Sequence, residues 1–187
     1  MQRHVKNVTT EATGGEGSGR VDIGGTLVRL AASDDDYRSA RELFTEYATW
    51  LDIDLCFQGF SEELATLPGK YAAPNGRLFL AIAFVDGEER VAGCVAIRPL
   101  PVDATATSSE LKRLWVRDAF RGLGLGHALT GVALDAARDI GYRSIKLDTL
   151  PSIMPNAVQM YRSFGFVECD PYYHSPIPGS MYMELAL

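Results

Sequence analysis

The sequence of 187 residues has few cysteines and few basic residues. Its three cysteines, Cys56, Cys94 and Cys169, are an odd number at irregular spacings, which indicates reduced thiols and argues against a disulfide framework or a zinc site. The 18 Lys and Arg residues against 24 Asp and Glu residues give a formal net charge of -6, so the chain lacks the basic surface that is typical of nucleic-acid-binding proteins. We therefore expect neither a nucleic acid nor a metal ion as a partner.

Long apolar segments are also missing. No apolar run approaches the roughly 20 residues that span a bilayer, and the first residues, Met1–Lys6, lack the apolar region of a signal peptide. We therefore expect a cytoplasmic protein that makes no use of a membrane. A chain of 187 residues with 47% hydrophobic content is expected to fold as one globular domain.

The beginning of the chain differs in composition from the rest. Residues 1–25 are polar and rich in Thr, Gly, Glu and Ser. Such a segment buries too little apolar surface to order itself. We expect a flexible tail over residues 1–25 and the globular domain over residues 26–187.

The remaining pattern predicts an α/β chain. Ser33 is expected to cap a first helix with an acidic first turn, and Asp86-Gly87 is expected to connect two strands as a hairpin. The predicted strands cover residues 26–31, 77–85, 90–97, 109–116, 142–148, 166–168 and 181–185. The predicted helices cover residues 34–51, 61–67, 125–140 and 156–164.

One segment changes from strand to helix character at a group of glycines. Alternation over Leu111–Val116 predicts a strand, and one helix face is predicted by the apolar residues Leu125, Leu129, Val132 and Ala136. Between them, Gly122, Gly124 and Gly126 allow the backbone to lie close to a ligand, with the first N–H groups of the helix available to bind it. A phosphate group is the natural ligand of such a turn.

Three other interpretations of these glycines are open. A tight turn from strand to helix without any ligand would use the same residues. A nucleoside-triphosphate loop requires Gly-Lys-Ser/Thr, whereas this helix opens with Gly126-His127-Ala128. An NAD-binding oxidoreductase could use Asp148 as the ribose-binding acid, but its third glycine falls on His127. The two nucleotide sites are therefore disfavoured.

The pattern Arg121-x-x-Gly124-x-Gly126 resembles the acetyl-CoA signature of the GNAT superfamily of N-acetyltransferases, usually written Gln/Arg-x-x-Gly-x-Gly/Ala. A second block, residues 156–166 after Leu147–Pro151, resembles the superfamily's asparagine and its Ala-x-x-Leu-Tyr-x-x-x-Gly-Phe helix. The resemblance extends over about residues 26–187. It implies the GNAT fold, an α/β fold in which a single mixed, mostly antiparallel sheet is flanked by helices and opens into a splayed acetyl-CoA cleft.

The resemblance also implies how coenzyme A is held. The N–H groups of the glycine turn are expected to bind its pyrophosphate, and the main chain of the preceding strand is expected to pair with its extended arm. Asn156 is expected to bind the same arm, and it also has the residue type of a helix cap. The expected cofactor-binding residues are Leu114, Trp115, Val116, Arg121, Gly122, Leu123, Gly124, Leu125, Gly126, His127 and Asn156.

Acyl transfer to an amine needs a proton donor and a proton acceptor. The resemblance places the Tyr161 hydroxyl near the thioester sulfur as the general acid, since a phenol with a pKa near 10 is protonated at neutral pH. Glu110 matches a position where many relatives keep an acidic base. The alternative for Tyr161 is a tyrosine that only packs in the core, and the alternative for Glu110 is an exposed glutamate without a catalytic role. A main-chain N–H at Leu114 or Val116 is expected to polarise the thioester carbonyl of acetyl-CoA.

The acceptor pocket is expected to be built from loops. The resemblance implies that one wall contains Phe57, Phe60 and Tyr71, although ordinary packing is equally compatible with these residues. A C-terminal loop would contribute Tyr172, Tyr173 and His174. The expected activity is direct transfer of an acetyl group from acetyl-CoA to a primary amine of a small molecule or peptide. A non-catalytic acyl-CoA-binding or sensor domain is the alternative, and a homodimer is compatible with the superfamily.

Overall fold

The computed structural model describes residues 6–8, 23–101, 103, 105 and 107–187. The strands form an eight-stranded sheet in the order β1-β2-β3-β4-β5-β6-β8-β7. They are β1 (Lys6–Val8), β2 (Ile23–Leu30), β3 (Arg77–Val85), β4 (Glu88–Pro99), β5 (Ser108–Val116), β6 (Ser144–Thr149), β7 (Val167–Glu168) and β8 (Met181–Ala186). Within this sheet the β5–β6 pair is parallel and the other pairs are antiparallel. The prediction of a single mixed, mostly antiparallel sheet is confirmed.

Over the residues that the structure describes, four α-helices flank the sheet: α1 (Asp34–Leu51), α2 (Phe60–Thr66), α3 (Leu125–Ile140) and α4 (Pro155–Ser163). None of the helices in the described part of the chain combines the length and the apolar character needed to cross a lipid bilayer. The hairpin predicted at Asp86-Gly87 joins β3 to β4, with φ values of 52° and 81° that suit a tight hairpin turn.

The sheet begins earlier in the chain than the sequence pattern predicts. β2 starts at Ile23 rather than at Thr26, and the backbone of β1 pairs with it from Lys6 opposite Val28 to Val8 opposite Thr26. Residues 1–5 and 9–22, which make up most of the predicted tail, lie outside the described residues. The flexible tail therefore stays a prediction.

Helix α1 starts as its sequence predicts. The Ser33 hydroxyl accepts a hydrogen bond from the Asp36 N–H at 3.1 Å, and the Asp36 carboxylate accepts one from the Ser33 N–H at 3.1 Å. This reciprocal arrangement satisfies two N–H groups that have no partner within the helix. Arg29 also lies 2.7 Å from the Asp36 carboxylate, so the first turn is tied to β2.

Helix α4 starts differently from its prediction. It begins at Pro155, a residue suited to the first turn because it has no N–H to satisfy. The capping position is Met154, which makes no side-chain capping bond, and Asn156 lies inside the first turn. The predicted capping role of Asn156 is therefore wrong.

Hydrophobic cores cover both faces of the sheet. On one face α3 and α4 pack against the strands, with Leu129, Leu147 and Tyr161 in one cluster. On the other face α1 contributes Leu43 and Phe44. Burying each such side chain contributes roughly 1.5–3 kcal/mol, so the central strands are held from both sides.

The edge of β5 is irregular at Arg113. Ala96 of β4 lies opposite Lys112, but Cys94 lies opposite Trp115, so β5 carries one extra residue in a β-bulge. Arg113 has a φ of 57°, in the left-handed region that costs a non-glycine residue roughly 1–2 kcal/mol. Its guanidinium group is held by Glu63 of α2 through contacts of 2.7 Å and 3.0 Å. This buried pair maintains the bulge.

The bulge lies where β5 and β6 separate. Within the described strands their pairing covers three residue pairs, from Ser108 opposite Ser144 to Glu110 opposite Lys146. Beyond Glu110 the two strands form the walls of a cleft that contains Leu111 on one side and Leu147 on the other. The splayed cleft of the predicted fold is confirmed.

Candidate active site

The cleft between β5 and β6 collects side chains from distant parts of the chain. They come from α1, the segment before α2, strands β5 and β6, the loop after β6, α4 and the loop between β7 and β8. The lining residues are Tyr47, Leu51, Leu55, Gln58, Leu111, Lys112, Arg113, Leu114, Leu147, Asp148, Thr149, Leu150, Met154, Tyr161, Ile177 and Ser180.

Tyr161 lies in the wall of the cleft, on α4. The residue is 6% exposed, and its ring packs against Phe166 with 5.6 Å between the ring centroids. Burial raises the pKa of its hydroxyl above the ordinary value, and the neighbouring Tyr47 and Asp148 raise it further. The hydroxyl is therefore protonated at neutral pH and can act as a proton donor.

The glycine turn lies at the start of α3. Gly122 and Gly124 have φ values of 81° and 74°, a left-handed conformation that favours glycine. A Cβ atom added at either position would meet no protein atom within 4 Å, so the space in front of the turn is open. The N–H groups of Leu125, Gly126 and His127 stand in the first turn of the helix, where they have no partner within it. These residues fit a pyrophosphate.

Arg121 lies beside this turn on an aromatic surface. Its guanidinium carbon is 4.8 Å from the ring centroid of Trp115 and 5.4 Å from that of Trp50. Its Nε donates to the Val116 carbonyl at 3.1 Å, and the group pairs with Asp118 at 2.9 Å. These contacts hold the guanidinium on the α1 side of the sheet, so the contact of the Arg121 side chain with coenzyme A stays a prediction.

The predicted cofactor residues around the strand and the turn differ in where their side chains lie. Leu114 lines the cleft, while Leu123 and Leu125 pack against the core. The Trp115 side chain packs on the α1 side of the sheet, where its Nε1 donates to Glu46 at 3.4 Å. The Trp115 ring therefore faces away from α3, and its predicted contact with coenzyme A through the main chain stays a prediction.

Two further predicted cofactor residues are exposed. The His127 ring stacks on Phe164 with 4.2 Å between the centroids, on the surface between α3 and α4. Asn156 lies on the exposed side of the first turn of α4. Their contacts with coenzyme A stay a prediction.

Glu110 has surroundings that its sequence position did not indicate. The residue is 2% exposed, so the alternative of an exposed glutamate is wrong. Arg98 approaches one carboxylate oxygen at 2.8 Å, and the Tyr172 hydroxyl donates to the other at 3.0 Å. Lys112 lies 3.6 Å from the carboxylate. An amine would have to compete with these partners, so the base role of Glu110 stays a prediction.

Asp148 is an acid in the cleft whose place in an acyltransferase site the sequence analysis missed. Its carboxylate accepts a hydrogen bond from Lys112 at 2.9 Å and interacts electrostatically with the Tyr173 hydroxyl. Burial is the largest influence and opposes its ionisation, but the charge and hydrogen bond of Lys112, together with Tyr173 and the charge of Arg113, outweigh burial and hold the pKa of Asp148 below its usual range. The sequence did contain one indication of this position. The alternation along β6 places Asp148 on the face of the strand opposite the buried Leu147.

The predicted acceptor residues do not all reach the cleft. Tyr71 is 2% exposed, and its hydroxyl donates to Glu63 at 2.9 Å. We therefore correct its predicted pocket role, because this side chain belongs to the core. The Phe60 ring lies 5.1 Å from the Arg113 guanidinium carbon and supports the bulge, while Phe57 is exposed.

The C-terminal loop does bring aromatic side chains to the site. The rings of Tyr172, Tyr173 and Tyr182 form a cluster with centroid distances of 5.2 to 5.4 Å. Tyr172 reaches Glu110 and Tyr173 reaches Asp148. His174 is exposed on the same loop. The predicted loop therefore contacts the polar side chains of β5 and β6 through its two tyrosines.

Comparison with known proteins matches this geometry to one family. Residues 37–166 match the Acetyltransferase (GNAT) family. The chain belongs to the GNAT family. This GNAT protein is therefore an acyltransferase, as its glycine signature and Tyr161 helix predict, and the family uses acetyl-CoA.

Two curated relatives and one solved structure illustrate the similarity. An uncharacterized N-acetyltransferase of Schizosaccharomyces pombe is 38% identical over 162 residues, which cover 87% of this chain and 93% of the relative. An uncharacterized N-acetyltransferase of Dictyostelium discoideum is 31% identical over 207 residues, covering 80% of this chain and 94% of the relative. The Salmonella typhimurium acetyltransferase YncA, solved with its cofactor acetyl-CoA, has a TM-score of 0.64 at 16% identity, covering 86% and 93% of the two chains.

Proposed function

We propose that this GNAT protein transfers an acetyl group from acetyl-CoA directly to a primary amine of a small molecule or peptide. The observation that carries the proposal is the position of Tyr161. Its protonated hydroxyl belongs to a residue that lines the cleft between β5 and β6. A non-catalytic acyl-CoA sensor would need the glycine turn but would have no use for a proton donor in the cleft.

The main chain and the helix start supply the binding groups for the cofactor. The open turn at Gly122 and Gly124 would hold the pyrophosphate through the first N–H groups of α3. Within the described strands, the main chain of β5 beyond Glu110 has no pairing with β6. That edge would pair with the extended arm as an added strand does. Bound acetyl-CoA supplies the thioester that carries the acetyl group.

The protein's own groups would then manage the charges and protons of the transfer. A main-chain N–H at Leu114 or Val116 would donate a hydrogen bond to the acetyl carbonyl. The Tyr161 hydroxyl would donate its proton to the departing sulfur. Because its pKa is raised, the hydroxyl still carries this proton at neutral pH. The proton of the incoming amine would pass to Glu110 or to water.

Thiol release tests the activity directly. The wild-type protein is incubated with acetyl-CoA and a panel of primary amines and peptides, with a control that contains no acceptor. We expect the rate of free thiol release to depend on the acceptor, and mass spectrometry to show the acetylated amine. Acetyl-CoA binding without thiol release for every small-molecule and peptide amine would contradict the proposal and favour the sensor alternative.

Substitution of Gly124 is expected to weaken coenzyme A binding by about tenfold or more, equivalent to at least 1.4 kcal/mol. A leucine side chain at Gly124 would occupy the open space in front of the first turn of α3. Isothermal titration calorimetry of coenzyme A with the wild type and the Gly124→Leu variant measures the loss of affinity.

Gly141 provides a matched control at the other end of α3. It also has a left-handed φ, of 101°, and open space at its Cβ position. Gly141→Leu therefore carries a similar backbone strain far from the turn, and we expect its coenzyme A affinity to stay within about twofold of the wild type. Equal weakening in the two variants would mean that strain, and not ligand contact, explains the loss.

A further inference from the structure

Two buried polar side-chain atoms have no hydrogen-bond partner among the described residues: Gln58 Oε1 and Thr149 Oγ1. Both residues line the cleft. A buried polar atom without a partner costs roughly 1–3 kcal/mol, so native proteins rarely leave one unpaired without a reason. The position of both atoms in one cleft indicates that a bound molecule completes their hydrogen bonding.

The two atoms belong to different sides of the cleft. Strand alternation places Thr149 on the face of β6 that carries Leu147, and Leu147 shares a core cluster with Tyr161. Gln58 comes from the segment before α2 and contacts Tyr173, which interacts electrostatically with Asp148 on the opposite face of β6. An amine must approach the thioester away from the departing sulfur, and Tyr161 is the proposed donor to that sulfur. Gln58 is therefore on the side available to the amine.

The orientation of the Gln58 amide follows from its neighbours. The Asp148 carboxylate interacts electrostatically with the Tyr173 hydroxyl and can only accept hydrogen bonds, which favours pointing the hydroxyl proton towards it. The lone pairs of Tyr173 then accept from Gln58 Nε2, at 3.5 Å. This leaves Gln58 Oε1 as the unpaired atom of the amide. Because an amide oxygen only accepts hydrogen bonds, its partner in the cleft must carry an N–H or O–H group.

The charges of the cleft are already matched. Lys112 lies 2.9 Å from Asp148, and Arg113 lies 2.7 Å from Glu63. These are the two basic residues among the described lining residues. A carboxylate on the acceptor would therefore meet no unpaired cation there, and a buried charge without a partner is costly. A second ammonium group would meet a similar difficulty, since Asp148 is already paired.

Most of the remaining lining on this side is apolar, and the hydroxyl of the polar residue Ser180 donates to the Ile177 carbonyl. Leu51, Leu55 and Leu150 form a buried cluster, and Met154 and Ile177 pack against it. All five residues line the cleft. Such a surface favours contact with a hydrocarbon group, at about 25 cal/mol for each Å² that is removed from water.

We infer that Gln58 Oε1 accepts a hydrogen bond from the acceptor amine, and that the acceptor is a primary monoamine on an uncharged, apolar carbon skeleton. The inference rests on the proposed function and adds the class of substrate. Gln58 is a residue that binds and positions the acceptor. The leucine cluster, defined by Leu51, Leu55 and Leu150, contacts the acceptor's hydrocarbon part.

A binding experiment tests the substrate class separately from catalysis. Phenethylamine and phenylalanine differ by one carboxylate, and each is titrated calorimetrically into the wild-type protein saturated with coenzyme A. We expect phenethylamine to bind at least about tenfold more tightly than phenylalanine, a difference of 1.4 kcal/mol. Absence of phenethylamine binding, or equal or tighter binding of phenylalanine, would overturn the inference.

Two variants test the role of Gln58. Gln58→Met removes both the oxygen acceptor and Nε2, and we expect phenethylamine affinity to fall by about five- to tenfold. Gln58→Glu also removes Nε2 but keeps an oxygen acceptor, so we expect affinity at least equal to that of the wild type. If Gln58 only supported Tyr173 through Nε2, the two variants would lose affinity equally, and that result would overturn the inference.

Catalysis is then measured on the same amines. Thiol release with phenethylamine that shows a raised KM in Gln58→Met and an unchanged kcat supports both the inference and the proposed function. Binding of phenethylamine as expected, without transfer to any amine, would contradict the proposed function while it supports the assignment of Gln58.

Discussion

Replacing Tyr161 with phenylalanine is expected to lower kcat for acetyl transfer by about 100-fold or more, within the range that general acids contribute. The substitution removes the hydroxyl that we propose donates a proton to the departing sulfur. It keeps the ring that packs against Phe166, so the cleft wall is retained. Steady-state thiol release, with both substrates varied, measures kcat, and calorimetry is expected to show coenzyme A affinity within about twofold of the wild type.

Tyr47→Phe is the matched control for this prediction. Tyr47 also lines the cleft, from α1, and burial raises the pKa of its hydroxyl to about 12. It therefore offers a second, partly buried phenol that is protonated at neutral pH, on the other side of the sheet. We expect its removal to change kcat by less than about tenfold. An unchanged kcat in Tyr161→Phe would contradict the acid role, and a large loss in Tyr47→Phe alone would move that role to α1.

Glu63→Gln is expected to lower the free energy of unfolding by about 3–5 kcal/mol, because it leaves a buried arginine without its counter-charge. The side chains of Arg113 and Glu63 are 3% and 4% exposed. The same pair holds the left-handed residue of the β5 bulge, so we also expect weaker coenzyme A binding. Urea unfolding at neutral pH measures the change.

An exposed ion pair of the same length serves as the control. Glu88 lies 2.7 Å from Arg90, with side chains 69% and 59% exposed. We expect Glu88→Gln to change the free energy of unfolding by less than about 1 kcal/mol, as is usual for surface pairs. Similar effects in the two variants would show that burial does not determine how much the Arg113–Glu63 pair contributes to the free energy of unfolding.

The stability difference caused by Glu63→Gln should also depend on pH. Burial is the largest influence and would raise the pKa of Glu63, but the hydrogen bonds and charge of Arg113, together with Tyr71 and Arg98, outweigh burial and lower the pKa below its usual value. A carboxyl group with a lowered pKa in the folded state stabilises the protein above its unfolded pKa of about 4.3, and this contribution is lost as the pH falls. The difference between wild type and variant should therefore shrink below about pH 4.

The elements that hold the cofactor could be predicted because their signals are local. The change from strand to helix period around Gly122 and Gly124 appears within a few residues, and the structure begins α3 at Leu125 as that change predicts. Ser33 and Gly141 likewise act on the helix ends next to them. The position of Tyr161 in the cleft followed from a motif that spans one helix.

The polar partners of the site could not be predicted, because each joins residues far apart in the chain. Glu110 pairs with Arg98 and Tyr172, which lie 12 and 62 residues away. Its alternating strand pattern left its exposure open, and contacts with Arg98, Lys112 and Tyr172 in the folded chain surround its carboxylate. Tyr71 was misplaced for a related reason, since its hydroxyl is used by Glu63 within the core.

By itself, the sequence determined the family, the order of the main strands and helices, and the glycine turn, because periodicity, capping and backbone conformation depend on neighbouring residues. The tertiary structure alone decided where the cleft opens and which polar atoms face it. Glu63 of α2 reaches Arg113 in the β5 bulge, and the Gln58 amide donates to Tyr173 of the C-terminal loop, which leaves Gln58 Oε1 without a partner among the described residues. Such contacts depend on packing between distant segments, which no local pattern specifies.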